Sequence, residues 1–130
     1  MDVVIHPMAI SDFGFYHIKT KLKSNDPIAF IESLKNRIYQ TPKILSYIKK
    51  WNPNCFLISF KFEDGLTTEE LIQIANESME KNQSDLVISN DKTEMVRNNS
   101  HTSYFCEKTT YVKIEGKEEI AKEIFRKINK

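Results

Sequence analysis

Residues 41–63 read TPKILSYIKKWNPNCFLISFKFE, and the way this stretch divides decides the fold. Thr41 followed by Pro42 is a helix start, because threonine caps orphan amides and proline loses nothing at the first helical position. Ile44, Leu45, Ile48 and Trp51 then share one face, and Asn52-Pro53-Asn54 ends the helix. Residues 55–62 are an apolar run, as a strand covered on both faces of a sheet would be. The run closes on Phe60-Lys61-Phe62-Glu63, where bulky and charged groups meet at a strand's carboxyl end. Open α/β sheets place their ligands at such ends.

Outward from this unit the pattern repeats. Residues 1–10 (MDVVIHPMAI) form a further apolar run, predicting a strand buried on both faces that needs neighbours on each side. The chain is therefore expected to begin in mid-sheet. Residues 11–24 predict a loop, and residues 25–40 fit helix and strand equally. Thr67 and Glu70 have capping-box spacing, followed by a stripe of Leu71, Ile72, Ala75 and Met79. Residues 85–89 (DLVIS) predict a strand, and residues 90–102 have the composition of a moving loop. A hairpin is expected over 103–107 and 110–115, turning at Lys108-Thr109. A closing helix over 116–129 turns Ile120, Ala121, Ile124, Phe125 and Ile128 inward. This order predicts one α/β domain over 1–130, a Rossmann-like three-layer α/β/α fold with a mostly parallel sheet whose amino-terminal part is missing.

The totals exclude several function classes. The 130 residues carry 19 Lys plus Arg against 18 Asp plus Glu, so no broad positive field argues for nucleic acid. No apolar run approaches a membrane span, no signal peptide is evident, and the expected location is the cytoplasm. Cys55 and Cys106 sit inside apolar runs and are expected to be buried free thiols rather than nucleophiles. His6, His17 and His101 lack the paired spacing of zinc ligands, so no protein-held metal site is expected. With three glycines the chain holds neither a dinucleotide fingerprint nor a Walker loop. Any bound phosphate must be held by side chains and helix ends. Sequons at Asn76, Asn82 and Asn98 carry no meaning in a cytoplasmic chain.

Lys19, Lys21 and Lys23 alternate beyond the first strand; they form either a polyphosphate contact or a solvated lysine edge. Asp12 and Phe13 are turn and packing residues, or a polar contact and a lid. Lys81-Asn82 and Asn90-Asp91 are helix-end and turn residues, or part of a pocket. What raises them together is position: Asp12, Phe60 and Asn90 are each expected at the carboxyl end of a different strand, the way α/β folds build pockets.

AISDF (9–13), KLKS (21–24), the stretch 41–63, KNQSDLVISND (81–91) and GKEEIAKEIFRKI (116–128) together resemble, in the same order, the carboxyl-terminal part of phosphopantothenate-cysteine ligase of the free-standing bacterial type, also called phosphopantothenoylcysteine synthetase. The resemblance implies a ligase of coenzyme A biosynthesis. In that family a nucleoside triphosphate, CTP in most bacteria and ATP in eukaryotic relatives, activates phosphopantothenate as an acyl-nucleotide with loss of pyrophosphate. The cysteine amine then attacks the activated carbonyl. Holding two anions together calls for cations and a divalent metal, Mg²⁺. Carried over by motif, Met8, Ala9 and Asp12 are implied to contact phosphopantothenate. Phe60 and Asn90 are the implied nucleotide pair, with Phe13 beside them. Lys21, with Lys23 or Lys19 as alternatives, is implied to touch the triphosphate, and Lys81 matches a basic position before the DL strand. No general acid or base is assigned.

The departures bear on completeness and assembly. The family's amino-terminal half, with its glycine-rich turn, has no counterpart here, so activity is expected to need that half, in trans or in the full gene. Residues 30–40 (FIESLKNRIYQ) differ from the family's hairpin that helps form a homodimer. The rival reading is a noncatalytic nucleotide-binding or assembly subunit. A single-strand nucleic-acid binder using Phe13, Phe15 and Tyr16 is opposed by the near-zero net charge.

Overall fold

The computed structural model describes residues 1–17 and 25–130, which group into two compact units. The first comprises Met1–Pro7 and Ile44–Lys130, and the second Met8–Lys43.

The first unit is built on a five-stranded sheet in the order β1-β4-β5-β6-β7: β1 (Val3–His6), β4 (Phe56–Glu63), β5 (Leu86–Asp91), β6 (Thr102–Glu107) and β7 (Thr110–Glu115). β1, β4 and β5 are parallel, β6 runs against β5, and β7 runs against β6. Only β6 therefore opposes the common direction, and the mostly parallel α/β architecture expected from sequence is present. α2 (Leu45–Trp51) and α3 (Thr68–Asn82) cover one face, where Ile48 packs with Cys55 and Leu57, and Leu71, Ala75 and Met79 pack with Val87, Tyr104 and Cys106. α5 (Lys117–Ile128) covers the other face through Ile120, Ile124 and Ile128, against Ile58, Leu86, Ile88 and Phe105. The capping box at Thr67 and Glu70 forms as its spacing predicts. The hairpin turns at Lys108-Thr109.

Four local expectations are corrected. The apolar run of residues 1–10 gives only a four-residue strand, stopped at Pro7, and Ile5 is exposed. Thr41 does not cap α2: that helix begins at Leu45 with no side-chain cap, and the Thr41 hydroxyl donates instead to the Ser11 carbonyl. Trp51 and Phe125 lie on their helices' outer faces and are largely exposed; Trp51 stacks on Tyr47 with ring centroids 5.8 Å apart. Residues 90–102 are not a loop, because Asp91 caps a short helix, α4 (Lys92–Asn98), which Asn99 ends in the left-handed conformation.

In the second unit β2 (Phe13–Phe15) pairs antiparallel with β3 (Ile38–Gln40), and α1 (Pro27–Lys35) lies between them in sequence. Residues 25–40, ambiguous by pattern, thus hold a helix and then a strand. Asp26 caps α1 by accepting from the amides of Ile28 and Ala29, with proline at the first helical position.

Candidate functional site

β4 and β5 run side by side, and their register sets Phe62 opposite Asn90 and Glu63 opposite Asp91. Side chains alternate along a strand. Phe60, Phe62 and Asn90 therefore share the face that carries α5, where Phe60 packs at the margin of the Ile58, Leu86, Ile88 and Phe105 cluster. Phe62, at 61% exposure, presents an aromatic ring at the sheet's carboxyl rim. The half-buried Asn90 donates from Nδ2 to the Met95 sulfur at 3.4 Å, and its Oδ1 has no partner among the described residues. Two aromatic rings and an amide acceptor are thus held together, a set suited to a flat, hydrogen-bonding ring. Sequence reasoning noted Phe62 at the strand's end without giving it a role; its signal was its position two residues beyond Phe60 at the end of a buried strand.

The opposite face explains why the rim is fixed. Asp91 is buried; its Oδ1 accepts from the Glu94 amide at 3.0 Å and its Oδ2 from the Leu66 amide at 2.9 Å. Gly65, at φ +79°, makes the turn that brings the Leu66 amide round. Burial pushes the Asp91 carboxyl up, but the amides of Leu66, Glu94, Thr93 and Gly65 outweigh it and hold the pKa below the ordinary value. Asp64 accepts from the Thr93 hydroxyl at 2.8 Å, a second tie between the turn after β4 and the first turn of α4. Behind them Glu94 accepts from the Tyr104 hydroxyl at 2.9 Å and pairs with Lys113 at 3.1 Å. Burial, chiefly, raises the Tyr104 pKa, and the Glu94 carboxylate raises that of Lys113.

The other candidate residues are carried by other elements of the chain. Lys81 is exposed in the last turn of α3, before β5 begins. The six residues of β5, spanning about 17 Å, put Asn90 at the opposite rim, so the fold does not join the two. Met8, Ala9, Asp12 and Phe13 belong to the unit Met8–Lys43 and are exposed there; the Asp12 main-chain carbonyl accepts from the Thr41 amide at 2.9 Å. Lys19, Lys21 and Lys23 lie outside the described residues.

His6, at the end of β1, has a buried Nε2 with no hydrogen-bond partner among the described residues. Cys55 and Cys106 are buried free thiols, and burial pushes the Cys106 thiol up to about 11, far from the thiolate a nucleophile requires. Among the described residues no cluster of three His, Cys, Asp or Glu side chains exists that could cage a metal, and no helix is long and apolar enough to cross a membrane.

Comparison with known proteins agrees with this architecture. Two archaeal proteins named coenzyme A biosynthesis bifunctional protein CoaBC are similar in sequence. That of Thermococcus kodakarensis is 39% identical over 90 residues, 68% of this chain and 21% of that protein. That of Methanocaldococcus jannaschii is 30% identical over 131 aligned residues, 99% of this chain and 31% of that protein. The chain thus spans between a fifth and a third of these relatives. A crystal structure of the DNA/pantothenate metabolism flavoprotein from Streptococcus pneumoniae superposes with a TM-score of 0.78 at 31% identity, covering 98% of this chain and 62% of that one. The model of the DNA/pantothenate metabolism flavoprotein C-terminal domain matches residues 1–130, so the chain belongs to that family.

Proposed function

We propose that this chain is the carboxyl-terminal part of a phosphopantothenate-cysteine ligase of coenzyme A biosynthesis and supplies the nucleotide side of its pocket. The supporting observation is the grouping of Phe60, Phe62 and Asn90 on one sheet face at the carboxyl ends of adjacent parallel strands, in a chain of this family. Phe60 and Phe62 would flank the base or ribose. Asn90, its Nδ2 held on Met95, would offer Oδ1 to an exocyclic amine, which cytosine and adenine both carry. CTP is the favoured co-substrate over ATP.

The reaction is acyl transfer in two steps. The phosphopantothenate carboxylate attacks the α-phosphorus of the triphosphate, expelling pyrophosphate and forming an acyl-cytidylate. The cysteine amine then attacks the acyl carbon, and the nucleoside monophosphate leaves with the bonding pair. Met8, Ala9 and Asp12 are the proposed phosphopantothenate contacts, and Lys21, with Lys19 or Lys23 as alternatives, the triphosphate contact. A divalent cation would neutralise the phosphates; with no three-ligand cluster among the described residues, it would be held largely by phosphate oxygens and water, as Mg²⁺ is.

The test is pyrophosphate release with CTP, phosphopantothenate and cysteine, from the chain alone and with the family's amino-terminal half supplied in trans. Release in either mixture is expected. Absence in both, with CTP still bound, would establish the noncatalytic nucleotide-binding reading instead. Asn90→Ala is expected to weaken CTP binding about tenfold in calorimetry, equal to about 1.4 kcal/mol, and unchanged affinity would remove Asn90 from the pocket.

A further inference from the structure

A groove of ≈ 440 Å³ runs along the outer side of α3, between that helix and the last strand of the sheet. Its helical wall is the stripe Glu69, Gln73, Glu77 and Glu80 with Ile72 and Asn76 beside it, and its strand side is Tyr111 of β7. A second depression of ≈ 490 Å³ shares Glu80 and continues to Asp85 and Lys108, at the rim opposite to Phe60 and Asn90. Neither depression contains a residue of the proposed nucleotide site.

Three features of this place belong together. First, β7 ends the sheet: it pairs with β6 on one side and has no neighbour on the other among the described residues. An edge of this kind offers unpaired amides and carbonyls to another strand. Second, the edge strand is exposed along most of its length: Tyr111, half exposed, lies on the groove side, Val112 on the opposite face, and Lys113 and Glu115 are exposed beside them. Third, the helical wall is acidic and uncompensated. Glu69 and Glu80 make no ion pair among the described residues, and Glu77 accepts only from the Gln73 amide at 3.1 Å. Lys113, the cation on this face of β7, is already engaged by Glu94 at 3.1 Å and Glu115 at 3.4 Å. That leaves Lys108, at the far end, as the one positive charge among the described residues lining the two depressions.

We propose that the groove between α3 and the open edge of β7 takes an extended, lysine- or arginine-bearing segment of another polypeptide, which adds as a strand to β7 and sets its cations against Glu69, Glu77 and Glu80. Main-chain bonds to the edge supply affinity, and the carboxylates select the side chains. The spacing agrees. Glu69 and Glu77 are eight residues apart on a helix, about 12 Å, and side chains four residues apart on a strand are separated by about 13 Å. Charge complementarity commits the occupant to a cationic segment, since an acidic or purely apolar strand would face three unneutralised carboxylates.

A fluorescent peptide of about eight residues alternating lysine and valine serves as the probe, read by anisotropy at low and physiological ionic strength. Saturable binding is expected, weakened about tenfold or more by E69Q/E77Q/E80Q. It should also be abolished by N-methylation of alternate peptide amides, which removes strand pairing and leaves the charges. The charge-reversed variant E77K/E80K should prefer a glutamate-valine peptide, a gain that a misfolded chain cannot give. The proposal is overturned by equal affinity for the wild-type and triple-substituted chains, by equal binding of the N-methylated peptide, or by no binding up to about 1 mM. A concentration-dependent self-association lost in the triple variant would name a second copy as the occupant and overturn it as well.

Discussion

In the unit of Met1–Pro7 and Ile44–Lys130, Leu57, Ile58, Leu86 and Val87 have no exposed surface, whereas in Met8–Lys43 no described residue is buried and Phe13, Phe15, Ile28, Ile31 and Ile38 all face outward. The two units are equally rich in apolar side chains to the eye, but they are held by different forces. The sheet unit rests on three hydrophobic clusters, one on the α5 face and two under α2 and α3. Met8–Lys43 rests on a few bonds at its surface: the Asp26 cap, the Ser11 hydroxyl on the Phe13 carbonyl, the β2–β3 pairing, and Tyr16 against Tyr39 at 4.8 Å. A hydrophobic pattern is legible only where a core answers it.

The contrast can be broken by truncation. Ile58→Ala, at a position with no exposure inside the α5-face cluster, is expected to cost about 3 kcal/mol by urea denaturation. The matching Ile31→Ala, on an exposed position, should change stability by less than about 0.5 kcal/mol. Equal losses would show that Met8–Lys43 has a core of its own.

The next largest effect belongs to Asp91. Asp91→Ala removes the α4 cap and strands the Leu66 amide, for an expected loss of about 2 kcal/mol. The folded pKa of Asp91 lies below its unfolded value, so its contribution is complete above about pH 4 and disappears as pH falls through the folded value. Acid unfolding curves of wild type and Asp91→Asn should therefore converge below that point and separate above it; parallel curves would contradict the assignment.

Thr67→Ala should cost about 1 kcal/mol, the worth of one helix cap, with Glu70→Ala costing no more. Smallest of all is Gly14→Ala in β2. An added Cβ would stand 2.5 Å from the Tyr39 ring, but that ring tip is free to swing away. The expected result is a loss under about 1 kcal/mol together with disruption of the Tyr16–Tyr39 contact, visible as a change in tyrosine fluorescence. A large loss would mean that the β2–β3 pair is held more rigidly than its few bonds indicate.

How much was legible follows the same division. α3, β4, β5 and the β6–β7 hairpin could be read because capping chemistry, an apolar run and a two-residue turn all agreed with the core they serve. β2 and β3 were missed because three-residue strands with exposed side chains carry no period. α4 was missed because its polar residues face solvent and only Asp91 announces its start. Phe125 and Trp51 were assigned inward because an amphipathic stripe read from sequence does not show where the covering layer ends.

From the chain alone came the α/β class, the sheet's central strands, and the expectation that Asp12, Phe60 and Asn90 end three of them, since the strand period and the stop signals are local properties of the polymer; for Asp12 it did not hold, because β1 stops at His6 and Asp12 lies in the unit Met8–Lys43. The tertiary structure decided that β4 and β5 are neighbours in a register that sets Phe62 against Asn90, that Lys81 lies at the other rim, and that an acidic helix lies beside an edge strand with no further partner among the described residues. Those facts depend on contacts between residues distant in the chain, whose pairing no local pattern specifies.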